Sequence, residues 1–318
     1  MDTAIANAAG NTIDTVLSKL PSNQMSRREQ INTVRSKVDA MRSALRALRM
    51  PDYDDDITAA AYLLEYHPQH VGMAHAVMSR VLQSRNSGKM IDDDTGRLHV
   101  VDLASGTLAM QFGVAITVAD ALIRGESVGG VAIDSVDISS AMLKAGQTAW
   151  ENFATAVQHD ENLEALAEAC HLITFNTHTR HSTVPSHEGE CWLSCLHGVY
   201  QQNSSNLERT LHALHDEHHP IVGMMSCWGR TPEDQNVEIA RRISPFQGTS
   251  WRSDRVFLPM RAEYPIPFLF NREEPDAIET GKIGHQYGIL YSEYPGFLWR
   301  PTDTALLTYY RSFSDRDS

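Results

Sequence analysis

Ile31, Val34, Val38, Met41, Leu45 and Leu48 recur at intervals of three and four, which lines them along one helical face. Pro51 ends that pattern, and Pro21 ends a shorter one marked by Ile13, Val16, Leu17 and Leu20. Two more helical regions are predicted over residues 57–66 and 68–82. The first ninety residues therefore read as a helical cap or association region.

From Leu98 the pattern changes. Leu98-His99-Val100-Val101-Asp102-Leu103 is a short apolar run bounded by a small-residue turn, the mark of a buried strand. A helix is predicted from about Leu108 to Ile123, a second strand over 131–137, and a helix over 140–157. Further strands are expected at 171–175, 191–196 and 221–227, with helices between them. Strands alternating with helices build an α/β, doubly wound, mostly parallel (Rossmann-like) sheet, whose ligands sit outside the carboxyl ends of the strands. From Trp228 onward aromatics and prolines are dense. Residues 284–291 are expected to pair antiparallel with 297–299 at the sheet edge, and 228–275 to form a lid or substrate insertion. The chain thus divides into 1–90 and 91–318.

Composition narrows the classes. The 318 residues carry 27 Lys+Arg against 40 Asp+Glu, a formal charge of −13. Ordinary globular usage excludes collagenous, disordered and disulfide-stapled chains. Acidity argues against coating nucleic acid non-specifically, since that affinity comes from basic side chains neutralising phosphates. Four scattered cysteines give no disulfide framework, and neither a signal-peptide pattern nor a membrane-length apolar run is present. A soluble, cytoplasmic protein is expected. Between Arg27 and Arg49 basic residues outnumber acidic ones. This face would suit RNA or an acidic partner; the plainer reading is a solvated face whose apolar stripe packs on the rest of the chain or on a second subunit, which makes a homodimer through the N-terminal helices plausible.

Two strings carry the chemistry. Val100-Val101-Asp102-Leu103-Ala104-Ser105-Gly106-Thr107 ends a strand in small residues, so that backbone can come close to a ligand. Val136-Asp137-Ile138-Ser139-Ser140-Ala141-Met142-Leu143 closes the second strand with a carboxylate able to accept from both ribose hydroxyls. Ile138 and Met142 stand where they can sandwich a flat purine.

In these strings the chain resembles the class I S-adenosylmethionine-dependent methyltransferases. Asp102 and Gly106 match the family's Asp-x-Gly-x-Gly-x-Gly, with Ala104 and Leu108 in place of its first and third glycines; Asp137, Ser139, Met142 and Leu143 match Asp-x-Ser-x-x-Met-Leu. The resemblance covers about Leu98 to Cys227. It implies that Asp102 with Ala104, Ser105, Gly106 and Thr107 holds the methionine portion of the cofactor S-adenosyl-L-methionine, that Asp137 binds ribose, and that Ile138 and Met142 flank adenine. Asn176 and Thr177, read as following strand three, are expected near adenine, and Leu196 completes the cofactor set. Leucine at the third glycine position is expected to crowd the methionine tail.

A dinucleotide dehydrogenase would need Gly-x-Gly-x-x-Gly to admit a pyrophosphate, and this turn supplies only Gly106. No phosphate-loop motif is present. Methyl transfer from a sulfonium asks mainly for alignment, with a base where the acceptor carries a proton. His197, at the mouth after strand four, titrates near neutrality and suits that role, and Tyr200 could orient the acceptor. The histidines at 212, 215, 218 and 219 directly precede a strand and read as a solvated helix end, so no metal is expected. The aromatic C-terminal region, with Arg252, Arg255 and Arg261, suits a planar, anionic small molecule. A small-molecule acceptor, possibly one of specialised metabolism, is therefore expected; the alternatives are an RNA methyltransferase using the basic helix, and a cofactor-binding scaffold without methyl transfer.

Overall fold

The computed structural model describes residue 15 and residues 27–47, 49–67, 70–72, 74, 75, 78, 79, 98–185, 191–195, 221–227, 251–258 and 294–301. Two helices come first, α1 (Arg27–Arg46) and α2 (Asp56–Glu65). Then follow β1 (Leu98–Leu103), α3 (Ala109–Ile123), β2 (Val131–Val136), α4 (Ser140–Gln158), α5 (Glu164–Leu172) and β3 (Ile173–His178). The remaining strands are β4 (Cys191–Cys195), β5 (Ile221–Cys227), β6 (Trp251–Leu258) and β7 (Tyr294–Pro301).

One seven-stranded sheet has the order β3-β2-β1-β4-β5-β7-β6. It is parallel from β3 to β5, and β7 runs antiparallel to both of its neighbours. The order reverses between β1 and β4, which opens a crevice at the carboxyl ends of those strands. This is the α/β, doubly wound, mostly parallel, Rossmann-like sheet expected, with one reversed strand near its edge.

All six residues of β1 are buried, which is why the strand reads as an unbroken apolar run rather than an alternation. Helices α3, α4 and α5 pack against one another. Phe112 of α3, Trp150 and Phe153 of α4 and Phe175 of β3 interlock, with Phe112 and Phe153 ring centres 4.9 Å apart and Trp150 and Phe175 5.8 Å apart. Across β1, β2 and β3 runs a polar network: Asp134 receives bonds from His99 Nε2 at 2.8 Å, His178 Nε2 at 2.9 Å and Asn176 Nδ2 at 3.2 Å. Burial would raise the Asp134 pKa, but these donors outweigh it and hold the group well below the carboxylate range.

The N-terminal helices share the core of the sheet's helical layer. Val34, Val38 and Met41 of α1 are buried, as are Ala59 to Leu63 around α2, and both groups join the same apolar cluster as Phe112 and Phe153. Gly113 of α3 lets the helical stretch at 74–75 come so close that a Cβ there would lie 2.5 Å from Ala74 Cβ. Asp55 caps α2, accepting from Thr58 N at 2.8 Å, and pairs with Lys37 Nζ at 2.9 Å. Of the apolar stripe, Val34, Val38 and Met41 are thus covered within the chain. No helix among the described residues is long and apolar enough to cross a membrane.

Two expectations are corrected. The C-terminal strand Tyr294–Pro301 pairs with Trp251–Leu258 rather than with 284–291, so part of the expected lid 228–275 is the edge strand of the sheet. β3 begins at Ile173 and ends at His178, because α5 carries the helix through His171 and Leu172. The helix expected over 13–20, residues 284–291 and most of 228–275 lie outside the described residues.

Candidate functional site

β1 delivers Asp102 to the crevice, and its register partner on β4, Ser194, donates its hydroxyl to Asp102 Oδ1 at 2.5 Å. Asp102 is fully buried. Burial pushes its pKa up to about 7; the Ser194 bond pulls it down, and the charge of Asp137 adds to the rise.

The turn after β1 reverses backbone hand at every second residue: Ala104, Gly106 and Leu108 have φ of 52°, 55° and 62°. These are the three positions aligned above with the glycines of the methyltransferase motif, and glycine takes left-handed backbone without strain. Ala104 and Leu108 adopt it at a cost of about 1 kcal/mol each. Leu108 is fully buried and lies against α4, where Gly146 makes room: a Cβ on Gly146 would stand 2.7 Å from Leu108 Cγ and 2.5 Å from the Thr107 carbonyl carbon. The leucine therefore packs toward α4.

β2 delivers the second carboxylate. Gly106 donates its N–H to Asp137 Oδ2 at 2.8 Å, and Ser139 donates its N–H to Oδ1 at 2.9 Å. Each oxygen keeps a lone pair for a further donor. Burial raises the Asp137 pKa despite these bonds, and Asp54 adds to the rise. Beside it Ile138 is 82% exposed, whereas Met142 is buried with its Cε 3.5 Å from the place a Cβ of Gly106 would occupy. Ser139 caps α4, accepting from Met142 N at 3.2 Å. The Ser105 hydroxyl oxygen is buried with no hydrogen-bond partner among the described residues.

Asn176 and Thr177 stand within β3, not after it. The Asn176 amide is engaged with Asp134, and the Thr177 hydroxyl accepts from Gln147 Nε2 at 2.9 Å. Asn176 is exposed and keeps its amide oxygen, and the Thr177 hydroxyl keeps its hydrogen to donate. Leu196, His197 and Tyr200 lie outside the described residues.

Sequence reasoning missed a wall of the crevice built by the N-terminal segment. Tyr62 of α2 lies over the turn: a Cβ on Gly106 would meet its Cε1 at 3.8 Å and its hydroxyl at 3.9 Å. The Tyr62 hydroxyl and His70 Nδ1 are 3.0 Å apart, and His67 Nδ1 lies 2.9 Å from the Thr107 hydroxyl. Ser139 also donates its hydroxyl to the Tyr53 carbonyl at 2.7 Å. Tyr53 and Tyr62 meet edge to face at 89°, their centres 5.7 Å apart, and Tyr66 stands 5.2 Å from Tyr62. Burial, then the charge of Asp137, pushes the Tyr53 phenol up to about 12. Tyr62 is driven well above its ordinary value by burial, then by Tyr53, Asp137, Tyr66 and Asp102. The available signal was the spacing of Tyr62, Tyr66 and His70, four apart on one helical face.

No protein-family model and no curated protein matches the chain. Among solved structures it is similar to a small RNA methyltransferase, HEN1, at 10% identity over 71% of this chain and 26% of that one, with a TM-score of 0.38. It is also similar to the METTL16 methyltransferase domain at 9% identity over 71% of this chain and 65% of that one, TM-score 0.37. A third similarity is to a putative class I S-adenosylmethionine-dependent methyltransferase of Listeria monocytogenes, at 8% identity over 94% and 88% of the two chains, TM-score 0.40. The chain spans about a quarter of the first of these structures and just under two thirds of the second. At such scores the fold assignment stands on this chain's own strand order.

Proposed function

We propose that this chain is a methyltransferase that uses S-adenosyl-L-methionine and acts on a small molecule in the cytoplasm. The observation that carries this reading is the pair of carboxylates, fully buried Asp102 and half-buried Asp137, with the charge of Asp137 acting on Asp102 beside a turn of alternating backbone hand. Two acids in one desolvated crevice favour a cationic ligand and oppose a pyrophosphate. A sulfonium nucleoside with a ribose and an amino-acid tail fits the donor set: Asp137 retains acceptor capacity for hydroxyls, Asp102 suits an ammonium, and the buried Ser105 hydroxyl is open to a polar partner.

When bound, the cofactor supplies an electrophilic methyl group on sulfur. The chain's own residues then have three tasks. Asp137 orients the sugar while Ile138 and Met142 supply apolar surface for the base. The turn at 104–107 presents backbone close to the tail. Past β4, whose Ser194 stands beside Asp102, His197 and Tyr200 are the residues we assign to taking the acceptor's proton and orienting the acceptor. Cap and methyltransferase regions, 1–90 and 91–318, would act as one unit, with the part of 228–275 outside β6 meeting substrate.

The acidic charge of −13 supports a small acceptor over RNA. Lys37, one of the basic residues of α1, is moreover occupied by Asp55. Calorimetry with S-adenosylmethionine, joined to methyl-label transfer into separate metabolite and RNA pools, tests the reading. We expect binding, and label in the metabolite pool. Absence of binding would overturn the cofactor, label in RNA the acceptor class, and binding without transfer to either pool the enzyme.

A further inference from the structure

We propose that Tyr62 and Tyr53 form an aromatic corner that binds the cationic centre of the methyl donor, making the N-terminal segment part of the cofactor site. This rests on the methyltransferase reading.

Three separate ties hold the segment to the three parts of that site. Tyr62 covers Gly106, His67 meets the Thr107 hydroxyl, and the Tyr53 carbonyl accepts from Ser139, two residues beyond Asp137. A merely packed cap would need none of these polar contacts to the turn and to the loop after β2. The two tyrosine rings meet edge to face at 89°, which sets their planes at right angles, and Tyr66 packs on Tyr62 with ring centres 5.2 Å apart. Both carboxylates of the crevice act on Tyr62, which places its ring in the field of Asp102 and Asp137. Aromatic faces and carboxylates within one desolvated crevice share a preference for positive charge, because the ring quadrupole puts negative potential on its faces. The bond between the Tyr62 hydroxyl and His70 fixes the ring's rotation. This chemistry distinguishes the sulfonium donor from its demethylated thioether product, which lacks that charge, and so favours product release after transfer.

The test compares affinities for S-adenosylmethionine and S-adenosylhomocysteine by calorimetry on the full chain. In Tyr62→Leu we expect about a five- to thirty-fold loss of affinity for the sulfonium ligand, with the thioether affected far less. Tyr62→Phe keeps the ring and should keep the wild-type ratio of the two affinities. Tyr53→Leu, at a half-buried position, should shift the ratio in the same direction by a smaller factor. Equal weakening of both ligands, or an unchanged ratio in both leucine variants, would overturn the proposal while leaving the methyltransferase reading intact. A wild-type chain that binds neither ligand would overturn both.

Discussion

Ser194 of β4 donates its hydroxyl to Asp102 of β1 across 2.5 Å, and this bond is what keeps a fully buried carboxyl from rising further than about 7. The group is therefore half ionised near neutrality. A cation in the crevice favours the ionised form, so binding it releases a proton. We predict that affinity for S-adenosylmethionine increases from pH 6 to pH 7.5 by up to about tenfold per unit, measured by calorimetry in buffers of different ionisation heat. Asp102→Asn should flatten the profile.

The same group sets a stability slope. Its folded pKa lies above its unfolded value, so the folded chain holds more protons between about pH 4 and 7. The contribution from Asp102 should therefore fall as pH rises through that window, by a few kcal/mol at most. Denaturant midpoints of the wild type and Asp102→Asn should converge at pH 4 and separate by pH 8, the variant being the more stable at the higher pH.

Asp134 works in the opposite sense. Its carboxylate is held ionised by His99, His178 and Asn176, so its stabilisation is present above pH 4 and lost as pH falls below that value. Asp134→Ala should destabilise the fold by about 3 kcal/mol, because it removes the buried carboxylate that accepts from His99, His178 and Asn176 at once. Chemical denaturation at pH 7 reads this directly; a loss under 1 kcal/mol would mean that the network contributes little.

Ala104 and Leu108 share left-handed backbone but should respond oppositely to glycine. At half-buried Ala104 the exchange relieves strain and removes only a methyl, so Ala104→Gly should stabilise by about 0.5–1 kcal/mol. At Leu108 the lost packing outweighs the relief, and Leu108→Gly should cost about 2–4 kcal/mol. Melting temperatures of the two variants should move in opposite directions.

Gly146→Ala probes the contact between α4 and the turn. Its methyl would stand 2.5 Å from the Thr107 carbonyl carbon, which is backbone and must shift. A cost of about 1–3 kcal/mol in stability is expected, together with weaker cofactor binding, since the displaced turn carries Gly106.

Much of this architecture was readable from the chain. β1 and β5 fall where their apolar runs put them, and β1, buried along its whole length, shows why such a run is unbroken. The start of β3 was not, because Cys170-His171-Leu172 satisfies a helix end as well as a strand start. β6 was hidden for a different reason: Trp251-Arg252-Ser253-Asp254-Arg255 has no period of two, and its place at the edge leaves it few packing demands. At the site, Asp102, Gly106 and Asp137 were legible as local strings. Tyr53, Tyr62 and His67 were not, because periodicity shows that a helix has a buried face and is silent about what that face meets.

The reversed strand at the end of the sheet has one more effect. β6 finishes at Leu258 and β7 starts at Tyr294, paired to one another and level with Cys227, where β5 ends. Residues 259–293 consequently depart from and rejoin the scaffold at the rim that also carries Asp102 and Asp137. Insertions, deletions or exchanges between these two points would change what borders that rim while the strands that deliver both carboxylates keep their pairing.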